Sequence, residues 1–315
     1  MNRKTEAAQK AAQKAAQAGL ILLNKNPGVT SFEALGEVKR ALGTGKVGHT
    51  GTLDKFAQGL LIVLTGRALH LSPWFSHCDK QYRGRIHFGA ETETLDPEGI
   101  VIAEAQAPSR EKVEQAITMF NGEIMQKPPV FSAIHINGQR ASKLARNGEI
   151  PQMKERPVTI YKLELESWQP PFADIFVHCS SGTYIRSLAR DIALEAGSRA
   201  HLCSLTRTQI AGFKLEDAVY GEKGVESGGN PSSSLFPTPY SPLPITKSVI
   251  SALHLPWFEV TRSEAENIYH GKPLSPIMEK KPLLTSNAAA VFSGETLIAV
   301  VEKIDRTWKY ACVLI

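Results

Sequence analysis

A segment rich in glycine, serine and proline interrupts the sequence at residues 221–244 and limits how the chain can fold. It reads GEKGVESGGNPSSSLFPTPYSPLP, and a stretch of this composition cannot bury enough apolar surface to form a core. We therefore interpret it as a loop or linker that marks a boundary region. We expect a large globular unit at residues 19–250, which carries this segment as an insertion, and a small, mostly β unit at residues 251–315.

The first 18 residues, MNRKTEAAQKAAQKAAQA, form a near-repeat of alanine, glutamine and lysine with a net charge of +3. They contain no apolar run of the ~7 to 15 residues that a signal peptide requires. We predict a solvated, partly helical tail at residues 1–18. The alternative is a basic arm that contacts nucleic acid, although charge runs of this kind usually lie in solvent.

The composition is that of an ordinary globular protein, with 42% hydrophobic and 21% charged residues. No apolar run approaches the ~18 residues of a membrane-spanning helix. The net charge of +5 permits a nucleic-acid partner without requiring one, because steering depends on where the charges lie. The four cysteines form no C-x-x-C pair, so we expect reduced thiols in a soluble, cytoplasmic protein: Cys78, Cys179, Cys203 and Cys312.

Hydrophobic periodicity predicts the main helices and strands. One helix begins with the capping-box spacing Thr30-x-x-Glu33, and Gly197 is placed to end another. The predicted strands are Gly19–Lys25, Gly59–Leu64, Tyr82–Phe88, Val158–Leu165 and Asp174–Cys179, with four short ones after Leu255. The predicted helices are Thr30–Leu42, Ser109–Phe120, Thr183–Glu195 and Glu264–Tyr269.

Two motif matches lack the context that their chemistry needs. GTGKVG, residues 43–48, matches G-x-G-x-x-G but follows a helix instead of a strand, so we do not interpret it as a nucleotide site. Three of the cysteines have a histidine next to them or two positions away, but these spacings fit no zinc site. We interpret them as buried cysteines with incidental histidines. We predict neither a metal nor a cofactor.

The segment GHTGTLD, residues 48–54, carries more chemical information. Asp54 follows a Gly/Thr loop whose short residues let another backbone approach closely, although a lone loop aspartate is usually a turn former. Arg186 lies outside the apolar face of its predicted helix and is therefore available to pair with a carboxylate. Tyr82 begins a strand beside two arginines, and its ring either stacks on a base or simply packs. One carboxylate, one arginine and two tyrosines suit covalent chemistry at an anomeric carbon.

Several separated segments also follow one another in a familiar order. They are GLILLNKNPGVTS, GHTGTLD with the strand GLLIV, KQY with FGAETETLDPEG, QKPPVFSAIHINGQRASKLARNG, CSSGTYIRSLARDIA and AHLCSLTRTQIAGF. Together they cover residues 19–219 and resemble the motifs of the TruB family of tRNA pseudouridine synthases. The resemblance implies a mixed α/β pseudouridine synthase fold, with a central, largely antiparallel sheet split by an RNA-binding cleft. Residues 251–315 resemble the PUA-like RNA-binding module of such enzymes.

The resemblance implies that the chain converts uridine to pseudouridine in the T-loop of tRNA, at position 55, without metal or cofactor. By similarity Asp54 is the nucleophile, acting on a flipped-out nucleotide either through a glycal or by addition at C6 of the base. Tyr82 resembles the tyrosine that stacks on the flipped base. Arg186 resembles the arginine that pairs with the catalytic aspartate.

Four more residues resemble substrate-binding positions of the family. His49 matches the histidine that enters the loop beside the flipped base, and Lys25 matches a basic residue that supports the N-terminal motif. Tyr184 and Leu205 match residues that line the pocket. The alternatives are that Tyr184 and Leu205 merely pack and that Lys25 is a solvated charge.

We expect the protein to bind the T-arm of tRNA as a monomer. We expect neither a guide RNA nor a membrane as a partner. The long segment at residues 91–148 resembles the RNA-gripping insertion of the stand-alone bacterial type, which disfavours a guide-RNA-dependent enzyme. A tRNA-binding folding chaperone with secondary or no catalysis is the alternative function. Lys55 stands where the family usually has proline and Gln58 where it usually has Thr or Ser, which puts the rigidity of the loop in doubt.

Overall fold

A computed structural model describes residues 18–149, 151–220, 240–279 and 286–314 of the chain. Residues 1–17 of the predicted tail and most of the segment at 221–244 therefore lie outside the described residues. The described end of that segment does join the core. Tyr240 is 2% exposed, and Leu243 exchanges two backbone hydrogen bonds with Leu20.

The described residues form eighteen strands and eight α-helices. The strands are β1 (Gly19–Lys25), β2 (Val47–His49), β3 (Gln58–Thr65), β4 (Lys80–Phe88), β5 (Ala90–Thr92), β6 (Val101–Glu104), β7 (Gly122–Gln126), β8 (His135–Ile136), β9 (Gln139–Arg140), β10 (Arg156–Gln169), β11 (Phe172–Cys179), β12 (Ala200–Ile210), β13 (Phe213–Lys214), β14 (Val219–Tyr220), β15 (Trp257–Glu259), β16 (Ala288–Ser293), β17 (Thr296–Ile304) and β18 (Thr307–Val313). The helices are α1 (Ser31–Leu42), α2 (Ser72–Ser76), α3 (Arg110–Thr118), α4 (Ala141–Arg146), α5 (Ile185–Glu195), α6 (Lys247–Ala252), α7 (Arg262–Tyr269) and α8 (Ser275–Met278).

Local sequence signals account for the ends of several helices. The capping box predicted at the start of α1 is present, with Glu33 N–H donating to Thr30 Oγ1 and Thr30 N–H donating to the Glu33 carboxylate. Gly43 ends that helix in the left-handed conformation. The helix predicted from Thr183 begins two residues later, because Tyr184 is its extended N-cap.

One large sheet dominates the molecule. Its strand order is β14-β1-β3-β12-β4-β11-β10-β7, with β2 on β3 and β13 on β12. All pairs are antiparallel except β1 with β14 and β3 with β12. The structure therefore confirms the mixed α/β fold with a largely antiparallel central sheet.

The sheet is nearly divided between β3 and β12. These strands share only two register pairs, Thr206 with Gln58 and Arg207 with Gly59. Gly59 has φ +107°, and a Cβ there would lie 2.4 Å from the Arg207 carbonyl oxygen, so only glycine permits this close crossing. The loop that carries Asp54 immediately precedes β3, so the division lies next to it.

Three apolar clusters lie around the sheet, and the smallest packs α1 against β1 and β3. Of the two larger clusters, one packs α3 and α5 against β4, β10, β11 and β12. The other joins β1 and β3 to the C-terminal four-stranded sheet β15-β16-β17-β18, with Leu60, Phe75 and Phe292 in one cluster. The small C-terminal unit is mostly β, as expected. The boundary predicted between residues 250 and 251 falls inside α6, and its position stays a prediction.

Within the described residues, no helix combines the length and apolarity needed to cross a membrane.

Candidate active site

The start of α1 holds the loop that carries Asp54 through two hydrogen bonds. Ser31 Oγ donates to the Leu53 carbonyl oxygen at 3.0 Å and accepts from Leu53 N–H at 2.8 Å. Ser31 is 2% exposed, so these two hydrogen bonds are shielded from water. They fix the residue immediately before Asp54.

Lys25, at the end of β1, lies under the same loop. Its Nζ donates to the carbonyl oxygens of Ala57 at 2.6 Å, Val29 at 2.8 Å and Asn26 at 3.0 Å. Burial lowers the pKa of Lys25 to about 8, with Asp54 acting in the opposite direction. The solvated alternative is therefore wrong. The predicted substrate contact stays a prediction, and the buried position favours support of the loop.

We expect Lys25→Met to destabilise the protein by about 2 kcal/mol, because it leaves several buried carbonyl groups without a donor. Urea unfolding of the variant against wild type measures the loss. Lys46→Met, at an exposed position after α1, is the matched control and should be near neutral. Equal unfolding midpoints for the two variants would contradict the support role.

Arg207, on β12, holds the other side of the loop. It is 1% exposed, and its guanidinium donates to the carbonyl oxygens of Leu60 at 2.7 Å and Gly51 at 3.1 Å. Sequence reasoning missed this residue, although it lies in the quoted segment AHLCSLTRTQIAGF. The sequence carried no clear signal for it, because this strand mixes polar and apolar residues.

Asp54 and Arg186 meet beside this loop, although 132 residues separate them in sequence. Arg186 Nε lies 2.9 Å from Asp54 Oδ2, and Nη2 donates to Oδ1 at 3.1 Å. The side chain of Arg186 is 4% exposed and that of Asp54 is 36% exposed. The carboxylate is therefore partly open to solvent, whereas the guanidinium is buried. Arg186 pairs with a carboxylate, as its position on the helix predicted, but its side chain is buried.

Three further groups hold the Arg186 guanidinium. Nη1 donates to the Thr94 carbonyl oxygen at 2.7 Å and lies 3.3 Å from Asp96 Oδ2, and Nη2 donates to the Phe131 carbonyl oxygen at 3.1 Å. Asp96 is 5% exposed. Asp96 lies in the segment TETLD, where the sequence alone assigned it no role. Arg186 thus bridges two carboxylates, one partly exposed and one buried.

Burial and the neighbouring charges act on the pKa of Asp54 in opposite directions. Burial raises the pKa of the Asp54 carboxyl above its ordinary value, and the nearby Asp96 carboxylate adds to this. Arg186 and Lys25 act in the opposite direction and favour the carboxylate. The net direction is upward.

Tyr82 and Leu205 lie in the core next to the loop. They are 7% and 6% exposed and belong to the cluster that contains Leu53 and Ala57. Burial raises the pKa of Tyr82 to about 12, so its hydroxyl stays protonated at neutral pH. Both side chains pack in this core, in agreement with the alternative interpretation of each residue. Stacking of Tyr82 on a base stays a prediction, as does the contact of Leu205 with substrate.

His49 and Tyr184 lie farther from the ion pair, and no hydrogen bond of the described residues joins either to Asp54. His49 Nδ1 is buried without a hydrogen-bond partner among the described residues, and burial lowers the pKa of this imidazole. Tyr184 is held through its backbone, where N–H and C=O pair with the Gln126 side chain at 2.9 and 3.1 Å. The Arg156 guanidinium lies 5.1 Å from the Tyr184 ring centroid. Their substrate contacts stay predictions.

Lys55 shows how the loop is held without the usual proline. Its carbonyl oxygen accepts from Gly28 N–H at 2.8 Å, and its Nζ lies 3.7 Å from Glu98 Oε1. The second contact links the Asp54 loop to the turn after Asp96. Both side chains are about half exposed, so the ion pair adds little stability by itself.

The described residues contain no group of three His, Cys, Asp or Glu side chains arranged to hold a metal ion.

Residues 39–185 match the model of the TruB family pseudouridylate synthase N-terminal domain. A tRNA pseudouridine synthase B from Corynebacterium efficiens is 37% identical over 294 residues, covering 91% of this chain and 93% of that protein. One from Borreliella burgdorferi strain ZS7 is 43% identical over 207 residues, covering 65% of this chain and 73% of that protein. A chain of a Cbf5-Nop10-Gar1 complex superposes with a TM-score of 0.66 at 24% identity, covering 96% of this chain and 86% of that chain, which shows the shared fold.

Proposed function

Because the chain belongs to the TruB family of pseudouridine synthases, we propose that it isomerises uridine to pseudouridine at position 55, in the T-loop of tRNA. The family and the relatives support an isomerase that acts on tRNA. The position and the role of Asp54 as nucleophile are our proposal. The observation that supports this proposal is the partly exposed Asp54 carboxylate, which is paired with the buried Arg186 guanidinium.

The reaction breaks the C1′–N1 bond of uridine and forms a C1′–C5 bond, while the proton on C5 is lost and N1 gains one. A carboxylate can enter this sequence by adding to C6 of the base, or by assisting departure of the base from C1′ through a glycal. Both routes need an ionised, oriented oxygen. Arg186 supplies the orientation, since its two nitrogens face the two oxygens of Asp54.

The reacting nucleotide must leave its stack to reach Asp54, because its reactive atoms are buried within the loop. Extrusion of a base costs a few kcal/mol, which contacts in the pocket must offset. We propose that Tyr82 and Leu205 receive the base and that His49 enters the vacated space. The unpaired Nδ1 of His49 supports this role, since substrate would supply the missing hydrogen-bond partner.

The raised pKa of Asp54 sets the acid limb of the pH profile. The nucleophile must be ionised, and burial favours its protonated form. We expect kcat/KM to fall as pH decreases, through one protonation whose apparent pKa exceeds the ~3.9 of a free aspartate. Single-turnover rates on unmodified tRNA transcript between pH 4 and 8 measure this. A rate that stays flat down to pH 4 would contradict it.

The position of the product tests the proposed substrate directly. Unmodified tRNA transcript is incubated with the protein, treated with a carbodiimide that marks pseudouridine, and read by reverse transcription. We expect one stop, adjacent to position 55, and none when this uridine is replaced by cytidine. A stop elsewhere that survives the replacement would overturn the assignment.

We also propose that the chain acts as a monomer without guide RNA and that residues 251–315, as a PUA-like unit, contact tRNA away from the reacting loop. The names of the curated relatives support a tRNA substrate. The extent of the apolar cluster shared with the C-terminal sheet supports a fixed placement of that unit beside the catalytic sheet.

A further inference from the structure

A second cleft, which we call the junction cleft, lies where the large sheet meets the C-terminal sheet. Its volume is about 690 Å³, and the lining residues used below are Trp74, Asp79, Tyr161, His178, His254 and Glu302. Cys179 packs in the same core as Tyr82, and side chains alternate between the faces of a strand. His178 therefore emerges on the opposite face from the Asp54 site, and the proposed reaction uses none of these residues.

The cleft presents an exposed aromatic surface. Tyr161 is the extra residue of a β-bulge, since the register passes from Ile160 opposite Cys179 to Lys162 opposite His178. Bulges re-aim side chains, and here the Tyr161 ring lies 4.9 Å from the His178 ring, centroid to centroid. Tyr161 is 55% exposed. With the Trp74 indole in the same cleft, a flat ring can stack there.

Two carboxylates and three imidazoles supply most of the polar groups of the cleft. His178 Nε2 pairs with the Asp79 carboxylate, which orients the imidazole. Glu302 contributes the second carboxylate from β17. His254 also lines the cleft and follows the C-cap of α6 with φ +55°.

The charge of the cleft excludes some ligands. Among the residues that line it in the described part of the chain, none is lysine or arginine, and two carboxylates would repel a phosphate. Carboxylates accept hydrogen bonds from the exocyclic amino groups of cytosine, adenine and guanine, which uracil lacks, and aromatic rings take the faces of unpaired bases. We propose that the junction cleft binds one unpaired amino-bearing base (cytosine, adenine or guanine) of an RNA. This proposal rests on the RNA substrate proposed above.

The test is fluorescence anisotropy with the full chain and four labelled RNA tetranucleotides, C4, A4, U4 and G4. We expect C4, A4 and G4 each to bind at least fivefold tighter than U4. Tyr161→Ala should weaken C4 binding at least fivefold, and Glu302→Gln should reduce the preference for C4 over U4. Tyr269→Ala, at a tyrosine of similar exposure (60%) on α7, is the matched control and should bind like wild type.

Two further measurements separate this cleft from the Asp54 site. Binding of C4 should change little between 50 and 200 mM salt, because no cation lines the cleft, and an excess of T-arm hairpin should not displace it. Tyr161→Ala should modify a T-arm hairpin without unpaired ends at the wild-type rate. Equal affinity for all four tetranucleotides, or unchanged binding by Tyr161→Ala, would overturn the proposal. C4 binding by a chain that fails to modify tRNA would refute the proposed function and leave the junction cleft standing.

Discussion

Replacing Asp54 by asparagine should abolish pseudouridine formation, lowering the rate by about 10⁴-fold or more, as removal of a catalytic nucleophile does. The amide keeps the shape of the carboxylate and one acceptor for Arg186, but it cannot attack carbon. Affinity for tRNA should stay within about tenfold of wild type, because phosphate contacts supply most of the binding free energy. Mass spectrometry of digested tRNA measures the product, and filter binding measures the affinity.

The fold of Asp54→Asn should survive, because Arg186 keeps Asp96 and the carbonyls of Thr94 and Phe131. A melting temperature near that of wild type provides this control. If Asp54→Asn retained a tenth of wild-type activity, Asp54 would not be the nucleophile. If Asp54→Asn bound and refolded tRNA while inactive, tRNA binding would have a function of its own, as the chaperone alternative proposes.

Arg186→Lys should lower kcat at least 100-fold and destabilise the protein by about 3 kcal/mol. A lysine ammonium cannot face both oxygens of Asp54 and also reach the buried Asp96 and two carbonyls. Asp96 would then lack a close cation in a site that excludes water. Single-turnover kinetics and urea unfolding measure the two effects.

Arg190→Lys is the matched control for Arg186→Lys. Arg190 lies one turn later on α5, pairs with its neighbour Asp191 and donates to the Lys127 carbonyl oxygen at 3.1 Å near the surface. Its replacement should cost less than about 1 kcal/mol and leave kcat near wild type. Equal losses for the two variants would show that the helix, and not the ion pair, was disturbed.

Regular elements could be predicted from the sequence where the pattern was local. The strand predicted at residues 19–25 is β1 with the same bounds, and the capping box at Thr30 is present as expected. The central strand β12 was not predicted, because its sequence AHLCSLTRTQI mixes polar and apolar residues without regular alternation. Its pairing with both β3 and β4 comes from tertiary contacts.

The buried cations could not be predicted from residue type. Lys25 and Arg207 are 1% exposed, whereas lysine and arginine usually lie in solvent. Lys25 donates to two nearby carbonyls and to one that lies 32 residues away, whereas the carbonyl acceptors of Arg207 lie more than 140 residues from it. Periodicity has no information about such distant acceptors. The position of Arg186 on its helix indicated that it could pair with a carboxylate, and the family resemblance identified Asp54 as the catalytic aspartate it pairs with.

The most direct test of the account is tritium release from tRNA transcript labelled at C5 of uridine. Wild type and Asp54→Asn are assayed side by side, with a second transcript in which position 55 is cytidine. The account predicts release by wild type from the first transcript only, and none by Asp54→Asn. Release by Asp54→Asn at the wild-type rate, or equal release from both transcripts, would contradict it.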